Sequence, residues 1–387
     1  MEFSEQDSLL LYYAVFSFSV FMSFIYQKKY QLKSTRENVT RGMKRKSFIM
    51  PIFIIAPVVA LQTLRYRVGT DYYAYEVLYK SLTNEKNKIV YNQYVNEPLY
   101  IYESRLVKMI FNDVWGFFFL NALIEAVLIF VIFNHYKEKI SMPIAYVLFY
   151  SMLYPTFFNM ERQALALVIA WLGMIFFEKK EYVKYVLVIL IAMGFHNSAI
   201  VFLIVGIFCR MESLIRFIRK YAGIFWFIIA GALIFMYYQG KMVLQWIIQN
   251  FSWLSKYKLY LANGSTRMSI SYMLIILMTI PCIVYIKNLK NNEKFSRFYV
   301  VCFLTQVFFL IMSCSVNIGN RLFLYFENSQ IILISMLCKS VTEGNRKFLS
   351  IAYILFGIIF FYSMYYNSRN SEIFPYRLIL ERFTTWH

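Results

Sequence analysis

Four stretches of this sequence concentrate the residue types that proton transfer and anion binding require. The first reads Arg65-Tyr-Arg67-Val-Gly69-Thr70-Asp71-Tyr72-Tyr-Ala-Tyr75 and is followed by Asn96-Glu97-Pro98-Leu-Tyr100 and Arg105. Its Gly-Thr-Asp core suits a tight turn and a helix cap. That turn leaves two arginines beside a carboxylate. The second stretch is Asn159-Met-Glu161-Arg162-Gln163, and the third is Asn317-Ile-Gly319-Asn320-Arg321 with Tyr325, Glu327 and Asn328 beyond it. The fourth is His196-Asn197-Ser198, where Asn197 or Ser198 suits capping the next helix. On a helix Arg321, Tyr325 and Asn328 share one face, whereas Glu327 points elsewhere.

Arginine forks hold phosphate oxygens in pairs, and helix N-termini add unsatisfied N–H groups and partial positive charge. Arg162 and Arg321 each lie at the start of a predicted helix that runs inward from the outer face. With Arg65 and Arg67 they suit a phosphate or pyrophosphate at headgroup level. Asp71, His196 and Glu97 are the groups at that level able to take up a proton. A plainer reading stands beside each: Arg65 and Arg67 as snorkelling anchors, Asp71 as a cap, His196 as a structural hydrogen-bonding group. Glu125 and Glu327 fall inside apolar runs, where an ionisable group is either functional or part of polar packing.

The elements that must carry these residues are apolar helices. The chain has 387 residues, 60% hydrophobic and only 16% charged, against about 25% charged in ordinary soluble domains. Spans are predicted near residues 8–26, 47–64, 115–133, 141–158, 164–178, 183–195, 198–209, 221–239, 269–286, 298–315, 322–338 and 348–366. The expected fold class is therefore all-α: a polytopic transmembrane bundle of about 12 spans. It forms a single membrane domain over residues 1–387, with short amphipathic or re-entrant helices on its outer face. External loops at 65–114 and 240–268 contribute to an active-site cavity. Residues 183–209 read either as one broken span or as two short helices meeting at His196; the dense basic loops that follow favour the hairpin.

The net charge of +19 is scattered through short loops and reflects membrane orientation rather than nucleic-acid binding. Loops around Lys28–Lys46, Lys179–Lys184, Arg210–Lys220, Lys287–Arg297 and Lys339–Lys347 mark the cytoplasmic face. The four stretches and both termini then face outward. The first apolar run follows Glu2, Glu5 and Asp7 without a basic n-region, so it is expected to be a retained helix. The 5 cysteines lie in or beside spans with no CxxC pair, which leaves no expected metal or disulfide. No Walker loop, dinucleotide fingerprint, HExxH or GxSxG elbow stands in a suitable context, which argues against nucleotide chemistry.

Taken in order, these stretches resemble the EpsG family, relatives of the Wzy-type polymerases of bacterial O-antigen, capsule and exopolysaccharide. The matching residues are Arg65-x-x-Val68-Gly69-Thr70-Asp71-Tyr72-x-x-Tyr75, Glu97-Pro98, Asn159-x-x-Arg162-Gln163-x-x-Ala166, Phe195-His196-x-Ser198-Ala199, Asn320-Arg321 with Tyr325-Phe326, and Pro375-Tyr376.

The resemblance implies a GT-C-like or Wzy-like membrane glycosyltransferase in the bacterial plasma membrane, working on the extracytoplasmic side. Its implied donor is a glycan on polyprenyl (undecaprenyl) pyrophosphate, moved onto the terminal hydroxyl of a lipid-linked repeat unit without nucleotide sugar, metal or cofactor. Implied partners are membrane lipid, a flippase and a chain-length regulator. On this reading Arg65, Arg67, Arg162 and Arg321 bind pyrophosphate, and Asp71, His196 or Glu97 takes the proton. Tyr72, Tyr75, Asn159, Gln163, Asn320 and Tyr325 contact substrate. A membrane O-acyltransferase of surface glycans and a flippase of lipid-linked oligosaccharide are the competing readings.

Overall fold

The computed structural model describes residues 2–35, 49–83, 97–210, 220, 222–250, 270–285, 289, 297–313 and 318–380. Among these it is helical throughout, with isolated bridges Glu2 to Arg377 and Arg65 to Leu378 as the extended pairing. In chain order the helices are α1 (Glu5–Thr35), α2 (Ile49–Thr63), α3 (Tyr72–Thr83), α4 (Pro98–Phe111), α5 (Val114–His135) and α6 (Met142–Leu148). A π turn at Phe149–Leu153 joins α6 to α7 (Tyr154–Phe157). Then come α8 (Glu161–Glu178), α9 (Tyr182–Phe195), α10 (Ile200–Arg210), α11 (Ala222–Asn250), α12 (Ile270–Leu277), α13 (Ile280–Val284), α14 (Arg297–Ser313), α15 (Ile318–Ser340) and α16 (Glu343–Phe361).

Three of these are long and apolar enough to cross a membrane unaided: Glu5–Tyr30, Val114–His135 and Glu343–Asn367. Shorter apolar helices include Ile49–Thr63, Tyr182–Phe195, Asn197–Arg210, Met273–Cys282 and Val301–Ser313. Uninterrupted helices among the described residues therefore do not reach the expected dozen spans. The shortfall has local causes. The 141–158 run is broken by the π turn, and the 269–286 run is broken between α12 and α13, just before Pro281. Conversely, α11 continues to Asn250, so the first part of the expected 240–268 loop is helix. Residues 251–268 and 84–96 lie outside the described set, as do most of the basic loops at 36–46, 211–219 and 290–296.

Local signals set several boundaries. Pro98 occupies the first turn of α4, where its missing N–H costs nothing, and Asn112 ends that helix in the left-handed region. The Asp113 carboxylate accepts from the Trp115 N–H and starts α5. In contrast to these surface-set helices, α15 is buried on nearly every side from Phe323 to Cys338. Such an all-round buried helix forms the centre of the bundle.

Residues 182–210 form an antiparallel hairpin rather than one broken span. The Tyr185 hydroxyl in α9 donates to the Phe202 carbonyl in α10, and Gly206 passes close against the Tyr185 ring. At about 1.5 Å per residue the 14 and 11 residues of the two arms extend roughly 21 and 16 Å, short of a hydrocarbon core of about 30 Å.

The two ends of the bundle differ in charge. At one end lie Lys137, Lys139, Lys339 and Arg346, tied by bonds from Gln27 and Lys339 to the Lys137 carbonyl and from Arg346 to the Lys339 carbonyl. At the other end the N-terminal residues meet the C-terminal segment: the Phe3 N–H donates to the Tyr376 carbonyl, and Arg369 pairs with Glu5 at 2.6 Å. The Arg65–Gly69 stretch is bonded into this second end, its Tyr66 N–H donating to the Arg377 carbonyl.

Candidate functional site

At the second end two ion pairs sit one residue apart on α8. Glu161, the first residue of α8, pairs with Arg65, and both side chains are fully buried. The Arg65 guanidinium is packed among the rings of Phe158, Phe118 and Tyr72, at 4.5, 5.0 and 5.8 Å from their centroids. Tyr72 itself stacks on Phe118 at 4.8 Å. A buried charge keeps its ionised form only when paired, and here cation–π contacts supplement the pair. Arg65 thus fastens the loop before α3 to the start of α8.

The loop that follows is fitted with little tolerance. Gly69 has φ +100°, and a Cβ there would collide with the Asn159 side chain and crowd the Phe158 carbonyl. Its N–H donates to the Glu372 carbonyl at 3.1 Å. The Asn159 amide donates to the Ser371 carbonyl at 2.9 Å. The C-terminal segment thereby braces the loop, and Arg67 is left exposed in the left-handed region with its guanidinium 5.3 Å from the Tyr66 ring. Arg67, Gly69, Thr70, Tyr72 and Tyr73 line an open pocket of about 550 Å³ at the rim.

The second pair opens the polar cleft. Arg162 donates to Glu97 Oε2 at 2.5 Å. Glu97 caps α4 but spends no side-chain bond on the helix, so its carboxylate is directed at α8 instead. The close approach of Leu99 to Gly194 brings α4 and α9 together and places Glu97 Oε1 3.6 Å from His196 Nδ1. His196 is the apex of the hairpin, extended at φ −155° and ψ 120°. Its Nδ1 accepts from the Ser198 N–H at 3.4 Å and lies 3.2 Å from Ser198 Oγ, which in turn lies 2.9 Å from the Tyr325 hydroxyl. Tyr75 completes the cleft from α3, its phenol bonded to Arg162. Burial pushes that phenol up to about 12, while Arg162 draws it back toward its usual value.

The predicted face of α15 packs along α8. The Gln163 amide donates to the Arg321 carbonyl at 2.6 Å, the Trp171 indole to the Tyr325 carbonyl at 2.7 Å, and Asn328 meets the Met174 sulfur at 3.8 Å. Because partners rise together along both chains, α8 and α15 run parallel and open at the same end. Asn320 and Arg321 are half-buried near that opening.

The structure therefore gathers Glu97, Arg162, His196, Tyr75 and Tyr325, with Arg321 close behind. It sets the Asp71 carboxylate apart: this partly exposed residue accepts from Thr70 Oγ1 at 3.2 Å, and it touches the cleft through its carbonyl, which accepts from the Tyr75 N–H at 3.0 Å, and through its field on the Tyr75 phenol. Arg65, Tyr72, Asn159 and Gln163, all expected to meet substrate, are occupied with partners inside the protein. Two further acids lie behind the cleft. Glu161 neutralises Arg65, which its position beside Arg162 could have suggested. Glu103 is buried on α4 with neither oxygen hydrogen-bonded among the described residues, and burial, reinforced by Glu161, pushes it to about 8.

An all-helical membrane protein with a carboxylate–arginine–histidine cleft at one end is the class that fold and site define. The EpsG family profile matches residues 48–378, and the chain belongs to the EpsG family. That membership brings a polysaccharide-polymerase-like function of glycosyltransferase type. No curated protein and no solved structure matches the chain.

Proposed function

We propose that this protein polymerises lipid-linked oligosaccharide repeat units, transferring a glycan from polyprenyl pyrophosphate to the terminal sugar hydroxyl of a second lipid-linked unit. The observation that carries the reading is the joined constellation Arg162–Glu97–His196–Ser198–Tyr325, contributed by four separate helical segments at one end of the bundle. Such a cleft supplies a proton acceptor beside fixed positive charge. Those are the two requirements of displacing a pyrophosphate leaving group with a hydroxyl.

In the reaction the acceptor oxygen attacks the anomeric carbon, the bond from that carbon to the pyrophosphate oxygen breaks, and polyprenyl pyrophosphate departs with the electron pair. The hydroxyl proton passes to His196, whose imidazolium is stabilised by Glu97. Arg162, Arg321 and Arg67 counter the charge growing on the pyrophosphate. Arg65 serves instead to anchor Glu161 and hence the start of α8. Direct displacement inverts the anomeric centre. Tyr75, Tyr325 and Asn320 contact the sugars, and no metal or cofactor is called upon.

The site is assigned to the extracytoplasmic face of a bacterial plasma membrane. The basic end formed by Lys137, Lys139 and Lys339 then lies in the cytoplasm, and both termini lie outside. On this assignment the α9–α10 hairpin is re-entrant. A flippase that delivers the repeat unit and a chain-length regulator are the expected partners.

The test is incubation of purified protein with lipid-linked repeat unit, read as a ladder on a gel. Wild type is expected to extend the unit, and folded Arg162→Ala and Arg321→Ala to lose the ladder. Normal polymerisation by both variants would overturn the pyrophosphate assignment. Acylated glycan formed only with acyl-CoA, or transport without bond formation, would overturn the reaction itself.

A further inference from the structure

A second site lies on the outside of the bundle, away from the cleft. An open groove of about 920 Å³ runs between α1 and α16, floored by α6 and the π turn that follows it. Phe16 of the α1 wall stacks on Tyr150 of the floor, 6° from parallel at 5.0 Å. The π turn places Ser151 beneath Gly357, where a Cβ would collide with Val147, so α16 closes down on the floor. π turns of this kind recur at functional sites.

The groove has a closed end and an open one. Toward the cleft end, the Tyr13 hydroxyl donates to the Ile358 carbonyl at 2.9 Å and bridges the two walls. The lining then runs along α1 from Tyr13 to Phe24, about 16 Å of helix and half of a hydrocarbon core. Among the described residues no charged side chain lines it. Both walls are helices of membrane-crossing length and composition, so the groove suits a hydrocarbon chain.

The open end identifies the kind of lipid. Lys28 follows Phe24 by one turn on the same stripe of α1, is exposed, and holds its ammonium 6.0 Å from the Phe24 ring. On the other wall Lys347 lies two turns before Ile354 on α16, also exposed. Among the described residues Lys28 has no acidic partner, and Lys347 pairs only with exposed Glu343 at 3.0 Å. We propose that this groove binds one acyl chain of an anionic phospholipid whose phosphate is held at Lys28. Lys347 supports the same headgroup from the facing wall. The basic end of the bundle is where an anionic leaflet would supply such a lipid.

The experiment is native mass spectrometry of the full chain released from nanodiscs of dioleoyl phosphatidylglycerol or dioleoyl phosphatidylcholine. Wild type is expected to retain one phosphatidylglycerol more strongly than phosphatidylcholine. Val20→Trp, which fills the groove, is expected to lose both adducts. Lys28→Ala, at an exposed position that packing does not use, is expected to keep the chain but weaken the phosphatidylglycerol preference roughly five-fold. Equal retention of the two lipids by wild type, or retention unchanged by Lys28→Ala, would overturn the proposal. A dimer mass that replaces the lipid adduct would assign the groove to a second copy instead.

Discussion

Glu97 Oε1 and His196 Nδ1 stand 3.6 Å apart, one at the cap of α4 and the other at the apex of the α9–α10 hairpin. Neither helix contains the partner of its own polar residue, and the two are far apart in the chain. Removing either should disable proton transfer without disturbing the apolar core. Glu97→Gln and His196→Ala are each expected to slow ladder formation about 10²-fold or more, with Asp71→Asn affecting it far less. Normal activity in Glu97→Gln would return Asp71 to consideration.

Ser198 is expected to tune His196 rather than to react. Ser198→Ala removes the hydroxyl between Nδ1 and Tyr325, a loss of roughly 1 kcal/mol or about five-fold in rate. Its mark should be a displaced pH–rate profile at unchanged melting temperature, restored by Ser198→Thr. An unshifted profile would reduce Ser198 to a structural link between the hairpin apex, which His196 itself caps, and Tyr325.

Breaking the buried Arg65–Glu161 pair should be more damaging to the fold than dissolving it. Arg65→Met alone strands a buried carboxylate and is expected to cost about 3–5 kcal/mol. The double change Arg65→Met with Glu161→Leu should recover much of this in detergent melting curves. No recovery in the double variant would mean that the cation–π contacts, not the charges, hold α8 in place.

Glu103 predicts a pH dependence of stability. Its folded value near 8 stands above an unfolded value near 4.5, so the native state holds the proton more tightly. Below pH 4.5 both states are protonated and no stability is lost. As pH rises toward 8 the unfolded chain ionises first and stability falls, levelling off above 8. Glu103→Gln should flatten this decline and melt higher than wild type at pH 8. Parallel pH curves for the two proteins would sink the idea.

Gly69→Ala tests the loop. Positive φ and the collision with Asn159 act together, so the variant should lose activity and melt lower. A companion change, Asn159→Gly, relieves the collision but not the backbone strain and should rescue only part of the loss.

The sequence made legible whatever depends on neighbours in the chain. Apolar runs announced α1, α5 and α16, and spacing alone placed Arg321, Tyr325 and Asn328 on one face, the one that meets α8. The break at His196 was visible as a polar tripeptide between two short apolar runs. What it concealed is pairing across space. Arg65 and Arg162 look equivalent by composition, yet Glu161 removes one from the cleft while Glu97 holds the other in it. Asp71 follows two arginines in sequence, and in the fold its carboxylate accepts from Thr70 Oγ1. The π turn at Phe149–Leu153 was equally hidden, since its extra residue per turn leaves no compositional trace.

The bracing of Gly69, Asn159 and Arg65 by residues 371–378 sets an order of events. A ribosome must translate every helix of the bundle before the strut that steadies the first loop emerges. Until then the nascent protein lacks the contacts that hold Gly69, Asn159 and Arg65 in place.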